Sequence, residues 1–135
     1  MENIAVIYHK QGKDTEAKKL EIQVLDARNR ILGVEHPDTI DAMENVVSTY
    51  FKLGKYTEAE KLEIRVLNAR NRIFGVEHPK TITAIENIAL AYYKQGQFTQ
   101  AEKLQIHVLD ARNRILGVEH LDTIDDMENL VLTYF

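Results

Sequence analysis

From Gly54 to Gln95 the chain reads GKYTEAEKLEIRVLNARNRIFGVEHPKTITAIENIALAYYKQ, and 28 of these 42 positions repeat the residues found from Gly12 to Leu53. The same spacing governs the rest of the sequence. Gly12, Gly54 and Gly96 lie 42 apart, as do Gly33, Gly75 and Gly117, and so do Tyr8, Tyr50, Tyr92 and Tyr134. Self-similarity at a period of roughly 20–50 residues signals stacked units, each burying its apolar face only against its neighbours. Stacks of this kind present surfaces and rarely build catalytic pockets.

Within the quoted stretch, Ala59, Leu62, Val66, Ala69, Ile73 and Phe74 fall on one side of an α-helix. Thr57-x-x-Glu60 and Thr99-x-x-Glu102 have the form of a capping box, whereas the first copy, Thr15-x-x-Lys18, lacks the acid. Gly33, Gly75 and Gly117 suit the left-handed residue that ends a helix. These are the long helices, expected to start near 15, 57 and 99. A second periodic run, Ile40, Met43, Val46, Val47, Tyr50 and Leu53, follows His36-Pro37-Asp38-Thr39. Proline and aspartate both favour a first helical turn. The second copy changes Asp38 to Lys80, and the third replaces the proline with Leu121. These are the short helices, expected to start near 39, 81 and 123. With a partial repeat over residues 1–11, the expectation is seven helices in one array over residues 1–135. No stretch alternates as a strand does, so the fold class is all-α. Connections of about 3–6 residues favour antiparallel neighbours.

Composition narrows the chemistry. With 44% hydrophobic residues the chain can bury a core, and a net charge of -4 gives no pull toward nucleic acid or an anionic membrane. There is no cysteine, which excludes disulfides and thiolate chemistry. No apolar run approaches a membrane span of about 18 residues, and no signal peptide precedes the array, so a cytoplasmic location is expected. Because Met1 falls inside a repeat, a longer parent protein is expected.

The turn Leu90-Ala91-Tyr92-Tyr93-Lys94-Gln95-Gly96-Gln97-Phe98-Thr99-Gln100-Ala101-Glu102 resembles that of a tetratricopeptide repeat. That repeat has a period of about 34 residues, so the longer period here lengthens the second helix and its loop. The phrases from Ala69 to Pro79 and from Ile85 to Ala89 look like the kinesin light chain type. The resemblance covers the whole chain. It implies a right-handed superhelical solenoid of antiparallel helix pairs, with the short helices lining a concave side that holds a peptide or protein segment.

Carried over by position, the inward columns are Glu2, Glu44, Glu86 and Glu128; Asn3, Asn45, Asn87 and Asn129; and Val6, Ser48, Leu90 and Leu132. Next come His9, Phe51, Tyr93 and Phe135, then Lys10, Lys52 and Lys94. Asparagine is a poor helix former, yet it stands in all four short helices. Its amide both donates and accepts, so an Asn ladder suits either a peptide backbone or a structural bond to the next helix. Lysines beside Phe51 and Tyr93 suit an interface hot spot, and the mixed Glu and Lys columns suit either a charge-patterned peptide or a solvated face.

Catalysis and metal binding find no support. His36, His78 and His120 sit one per repeat, and packed helices lie about 8–10 Å apart, too far for one ion to join them. They read instead as residues that pack or cap where a helix begins. No phosphate-loop, dinucleotide or HExxH motif is present. No cofactor is implied. The Arg28/Arg30, Arg70/Arg72 and Arg112/Arg114 pairs read as a solvent-exposed convex ladder, with Asp26 and Asp110 four residues before Arg30 and Arg114.

Two functional classes stay open. One is a scaffold that binds a peptide along the short helices. The other is a module that self-associates through naked terminal helices, using Ile124, Met127, Val131 and Tyr134.

Overall fold

The computed structural model describes residues 13–117 and 120–134. Six helices run through them: α1 (Asp14–Leu32), α2 (Pro37–Lys52), α3 (Tyr56–Phe74), α4 (Pro79–Lys94), α5 (Phe98–Ile115) and α6 (Leu121–Tyr134). The seventh expected helix, with Asn3 and Lys10, lies outside the described residues. Long and short helices alternate, and each packs chiefly on the helix before and the helix after it. That is a solenoid of helix pairs, with no strand among the described residues.

The helix starts show what each junction uses as a cap. Short helices begin two residues earlier than expected, because the histidines are the caps. His36 Nδ1 accepts from the Asp38 N–H, His78 from the Lys80 N–H and His120 from the Asp122 N–H, each at 3.1 Å. Each bond satisfies one orphan donor of the first turn. The long helices α1, α3 and α5 follow Lys13, Lys55 and Gln97, none of which makes a side-chain cap bond. The expected capping boxes are therefore not formed. Thr57 lies inside the first turn, and its hydroxyl donates to Gln95 Oε1 at 3.3 Å. Gln95 Nε2 donates in turn to Glu60 Oε1 at 3.0 Å, so the two residues of the box tie α3 to the turn after α4.

Gly33 and Gly75 have φ of 89°, as a glycine-specific position requires, but ψ of 165° and 167°. This is the extended mirror region, not the left-handed helical one, and it is essentially closed to other residues. The chain leaves α1 and α3 extended, and the next short helix begins at Pro37 and Pro79.

The apolar stripes meet as expected. Ile40, Met43, Val46 and Val47 of α2 pack on Ala59, Leu62, Val66 and Ala69 of α3, with Ala84 of α4 closing the cluster. A second cluster joins Ile82 and Ile85 of α4 to Val108 and Ala111 of α5. Full burial of a Val, Leu or Met side chain is worth roughly 1.5–3 kcal/mol, and these clusters supply the cohesion between helices. Ile73 belongs to the expected stripe but is exposed. Phe74 is half-buried and stacks on His78, with ring centroids 4.4 Å apart.

The arginine ladder splits in two. Arg70 and Arg112 are buried, contrary to a convex solvated position. Arg70 donates to the Lys80 carbonyl at 3.0 Å and lies 3.7 Å from Glu44, while Arg28 donates to the Asp38 carbonyl at 3.0 Å. Arg72 and Arg114 are exposed but reach back to the preceding repeat, Arg72 to Glu35 and Arg114 to Glu77. Arg30 Nε donates to the Asp26 backbone carbonyl at 3.4 Å, in place of the expected carboxylate pair.

Candidate functional site

The short helices place their residues at intervals of three and four, so Glu86, Asn87, Leu90, Tyr93 and Lys94 form one strip along α4. Facing them on α6 are Asp126, Asn129 and Leu132. Gln105 and Val108 of α5 form the floor between. Together they line a groove of about 380 Å³. Seven of the sequence-predicted inward residues are thus brought together: Glu86, Asn87, Leu90, Tyr93, Lys94, Asn129 and Leu132. Glu44 and Asn45 line a separate, more polar recess of about 540 Å³ with Arg28, Asp38, Asp41 and Arg70. Lys52 is exposed on α2 and lines neither. Phe51 is half-buried against the core and meets Tyr56 at 5.8 Å between ring centroids. Tyr93 makes the equivalent contact with Phe98, edge to face at 5.4 Å, yet keeps a face on the groove.

The groove is amphipathic from end to end. Leu90, Tyr93 and Leu132 give it apolar walls, Asn87, Asn129 and Gln105 give it amides, Lys94 stands at one end, and Glu86 and Asp126 at the other. At the acidic end Arg112 rises from α5 and bonds both carboxylates: Glu86, and Asp126 Oδ1 at 2.7 Å. Burial opposes the guanidinium charge, but the two acids more than restore it and raise its pKa. Asp126 is only 4% exposed. Burial pushes its carboxyl up to about 6, and Glu86 adds to the rise while Arg112 opposes it. Asp126 was not anticipated. It occupies a column whose other members, Ala42 and Ala84, are small and buried, and that departure was the available signal.

Gln105 is held by a bond from Thr133 Oγ1 at 2.7 Å, which fixes the floor between α5 and α6. Among the described residues no group of three or more His, Asp or Glu is placed to hold a metal, and no helix is long and apolar enough to cross a membrane.

On α6, Ile124, Met127, Val131 and Tyr134 are exposed. The column mates of the first three are buried: Met43 is 2% exposed against 37% for Met127, and Ile40, Ile82, Val47 and Ala89 are likewise covered, while Tyr50 and Tyr92, the mates of Tyr134, are half-buried. The same set that α4 seats on α5 stands open on α6.

The sequence model described as "Tetratricopeptide repeat" matches residues 1–72, 42–102 and 81–135. No curated protein matches the chain. Among solved structures, two crystal structures of a Podosopora anserina protein named for kinesin light chain, with nearly identical TPR-like repeats, are similar. One of the two is a point variant of that protein. Each shares 26% sequence identity at a TM-score of 0.86, over 98% of this chain and 63% of that one. The structure of BtubC (BKLC) from P. vanneervenii is similar in fold, at a TM-score of 0.86 and 18% identity, over 98% of this chain and 53% of that one. The chain therefore spans less than two thirds of the length of these relatives.

Proposed function

We propose, from the premise that this chain belongs to the tetratricopeptide repeat family, that it is a protein–protein interaction scaffold that holds a peptide segment along its short helices. Scaffolds of this family generally bind proteins and work without catalysis. The supporting observation is the groove between α4 and α6, where Asn87, Leu90, Tyr93, Lys94 and Asn129 converge on one space. A groove with apolar walls, two amide rungs and opposite charges at its ends suits an extended segment. Its backbone meets the amides and its side chains meet Leu90, Tyr93 and Leu132. A cytoplasmic setting belongs to the same reading.

Selection of displayed random peptides against the folded array tests it. Binders are expected to lose affinity at least tenfold when Asn87→Ala and Asn129→Ala are combined, with helix content and unfolding midpoint retained. Peptides that bind the double variant as well as the parent would sink the reading.

A second reading is favoured by the open face of α6: the chain associates with another copy through Ile124, Met127, Val131 and Tyr134. Light scattering over a concentration series tests this. A strict monomer at high concentration ends it.

A further inference from the structure

Glu21, Glu63 and Gln105 form one column of the long helices, and the column facing it 28 residues later reads Thr49, Ala91 and Thr133. At the two outer positions the hydroxyl serves the long helix. Thr49 Oγ1 donates to Glu21 Oε1 at 2.7 Å, and Thr133 Oγ1 donates to Gln105 Oε1 at 2.7 Å. The middle repeat has lost the hydroxyl. Ala91 is fully buried and offers only a methyl group. Glu63 is nonetheless 0% exposed, and neither of its carboxyl oxygens has a hydrogen-bond partner.

An ionised carboxylate in such a place is costly, and an unpaired one is seldom kept. The neighbouring helix supplies the explanation. Glu44 of α2 has a buried Oε1 that also lacks a partner. Two ionised carboxylates only accept, so they can bond each other only when one holds a proton. Burial first, and then Glu44, push the Glu63 carboxyl up to about 10. The groups around it come from all three helices. Glu44 of α2 raises it, Arg70 of α3 lowers it, and α4 contributes the neutral amide of Asn87, which favours the ion. Arg70 is already engaged with Glu44 and the Lys80 carbonyl.

We propose that Glu63 is a protonated positioning residue: its O–H donates to Glu44, and its other oxygen draws the Asn87 N–H inward, so that Asn87 turns its carbonyl oxygen to the groove. The middle amide rung then accepts, and the partner feature it reads is an N–H donor, a backbone amide or a Lys side chain. That last step rests on the groove reading above, but the buried proton does not. The sign follows from linkage. A carboxyl whose value is raised in the folded state contributes its full stabilisation below its unfolded value. As pH rises, the unfolded chain gives up the proton and the native state keeps it, so stability falls. One such proton gives about a tenfold fall in the folding equilibrium per pH unit.

The experiment needs no ligand, so its failure is separable from that of the groove reading. Unfolding of the full chain is followed in urea from pH 6 to 9, for the parent, Glu63→Gln and Ala91→Thr. The parent is expected to lose close to tenfold more in its folding equilibrium per pH unit than Glu63→Gln. Ala91→Thr restores the missing hydroxyl donor and is expected to reduce that loss. A carboxyl that only fills space would leave Asn87 indifferent to its replacement. Glu63 keeps its proton from pH 6 to 9, so the Asn87 side-chain amide resonances are expected to hold still across that window in the parent, to stay near the same positions in Glu63→Gln and to move in Glu63→Leu, with Asn129 unmoved in all three. If Glu63→Gln does not fold, Ala91→Thr and the Asn87 resonances decide the question alone. Equal pH slopes in parent and variants, or an Asn87 amide that ignores the loss of the Glu63 carboxyl, overturn the proposal.

Discussion

The α3/α4 pair and the α5/α6 pair are built on the same columns, yet they settle their buried polar groups in opposite ways. In α3/α4 the floor acid Glu63 has no hydroxyl opposite it, and the Ala84 position is apolar and closed. In α5/α6 the floor residue is Gln105 with Thr133 opposite it, while Asp126 takes the Ala84 position and needs Arg112 to hold its charge. Each pair therefore carries one polar problem, moved from the floor to the flank. The period fixes where residues sit, but the facing residue decides whether a buried carboxyl is neutralised by a proton or by an arginine. It also shapes the surface. The pair whose floor amide is tied to Thr133 has the groove of about 380 Å³ above it.

The largest test removes the arginine. Arg112→Leu leaves Glu86 and Asp126 facing each other without a cation, and is expected to destabilise the fold by about 3–5 kcal/mol in urea unfolding. In an Asp126→Ala background, which restores the Ala42 and Ala84 column, the same change is expected to cost at least ~1 kcal/mol less. An unchanged cost would break the comparison, since Arg112 would then act through packing alone.

The next test compares the covered and open faces. Met43→Ala is expected to cost about 3 kcal/mol, because Met43 is fully buried between α2 and α3. Met127→Ala, in the same column on α6, is expected to stay within about 0.5 kcal/mol. A large cost at Met127 that depends on protein concentration would reveal a second copy seated there.

A third test is a pH profile. Asp126 holds its proton up to about 6 in the fold, above the ordinary carboxyl range, because it is buried. The folded state thus binds more protons than the unfolded chain between those values, and stability falls as pH rises through the window. Asp126→Ala is expected to remove that loss, roughly 3 kcal/mol at about 1.4 kcal/mol per pKa unit. A parent and variant with parallel profiles from pH 4 to 7 would show that Arg112 fully offsets the burial.

The smallest test concerns the caps. His78→Ala is expected to cost about 1 kcal/mol, the usual worth of an N-cap bond. Thr57→Ala, at the box that does not form, is expected to cost less than about 0.5 kcal/mol. The reverse order in thermal unfolding would restore the capping box.

Much of the array was legible because periodicity reports burial directly. The stripe from Ala59 to Ala69 and the run from Ile40 to Val47 are buried as their spacing requires. The strip from Glu86 to Lys94 also followed from helical spacing, once the resemblance had said which face to look at. Positions 63 and 70 were not legible, for a physical reason. They lie seven apart on the flank of the apolar stripe, where a wide buried face accepts a polar residue if a partner is supplied from the next helix. The partners of Arg70 and Arg112 come from α2, α4 and α6, and no local pattern encodes them. The capping boxes misled because Thr57 and Glu60 had the right spacing but a stronger use for their polar atoms at Gln95.

The exposed pairs Arg72–Glu35 and Arg114–Glu77 each join residues 37 apart, so every tie spans from one long helix to the loop of the repeat before it. Such ties run along the length of the stack, in parallel with its apolar joints. Their strength is screened over about 8 Å at physiological ionic strength. Concentrated salt therefore slackens these rim ties and leaves the apolar joints, which hold the helices together, in place.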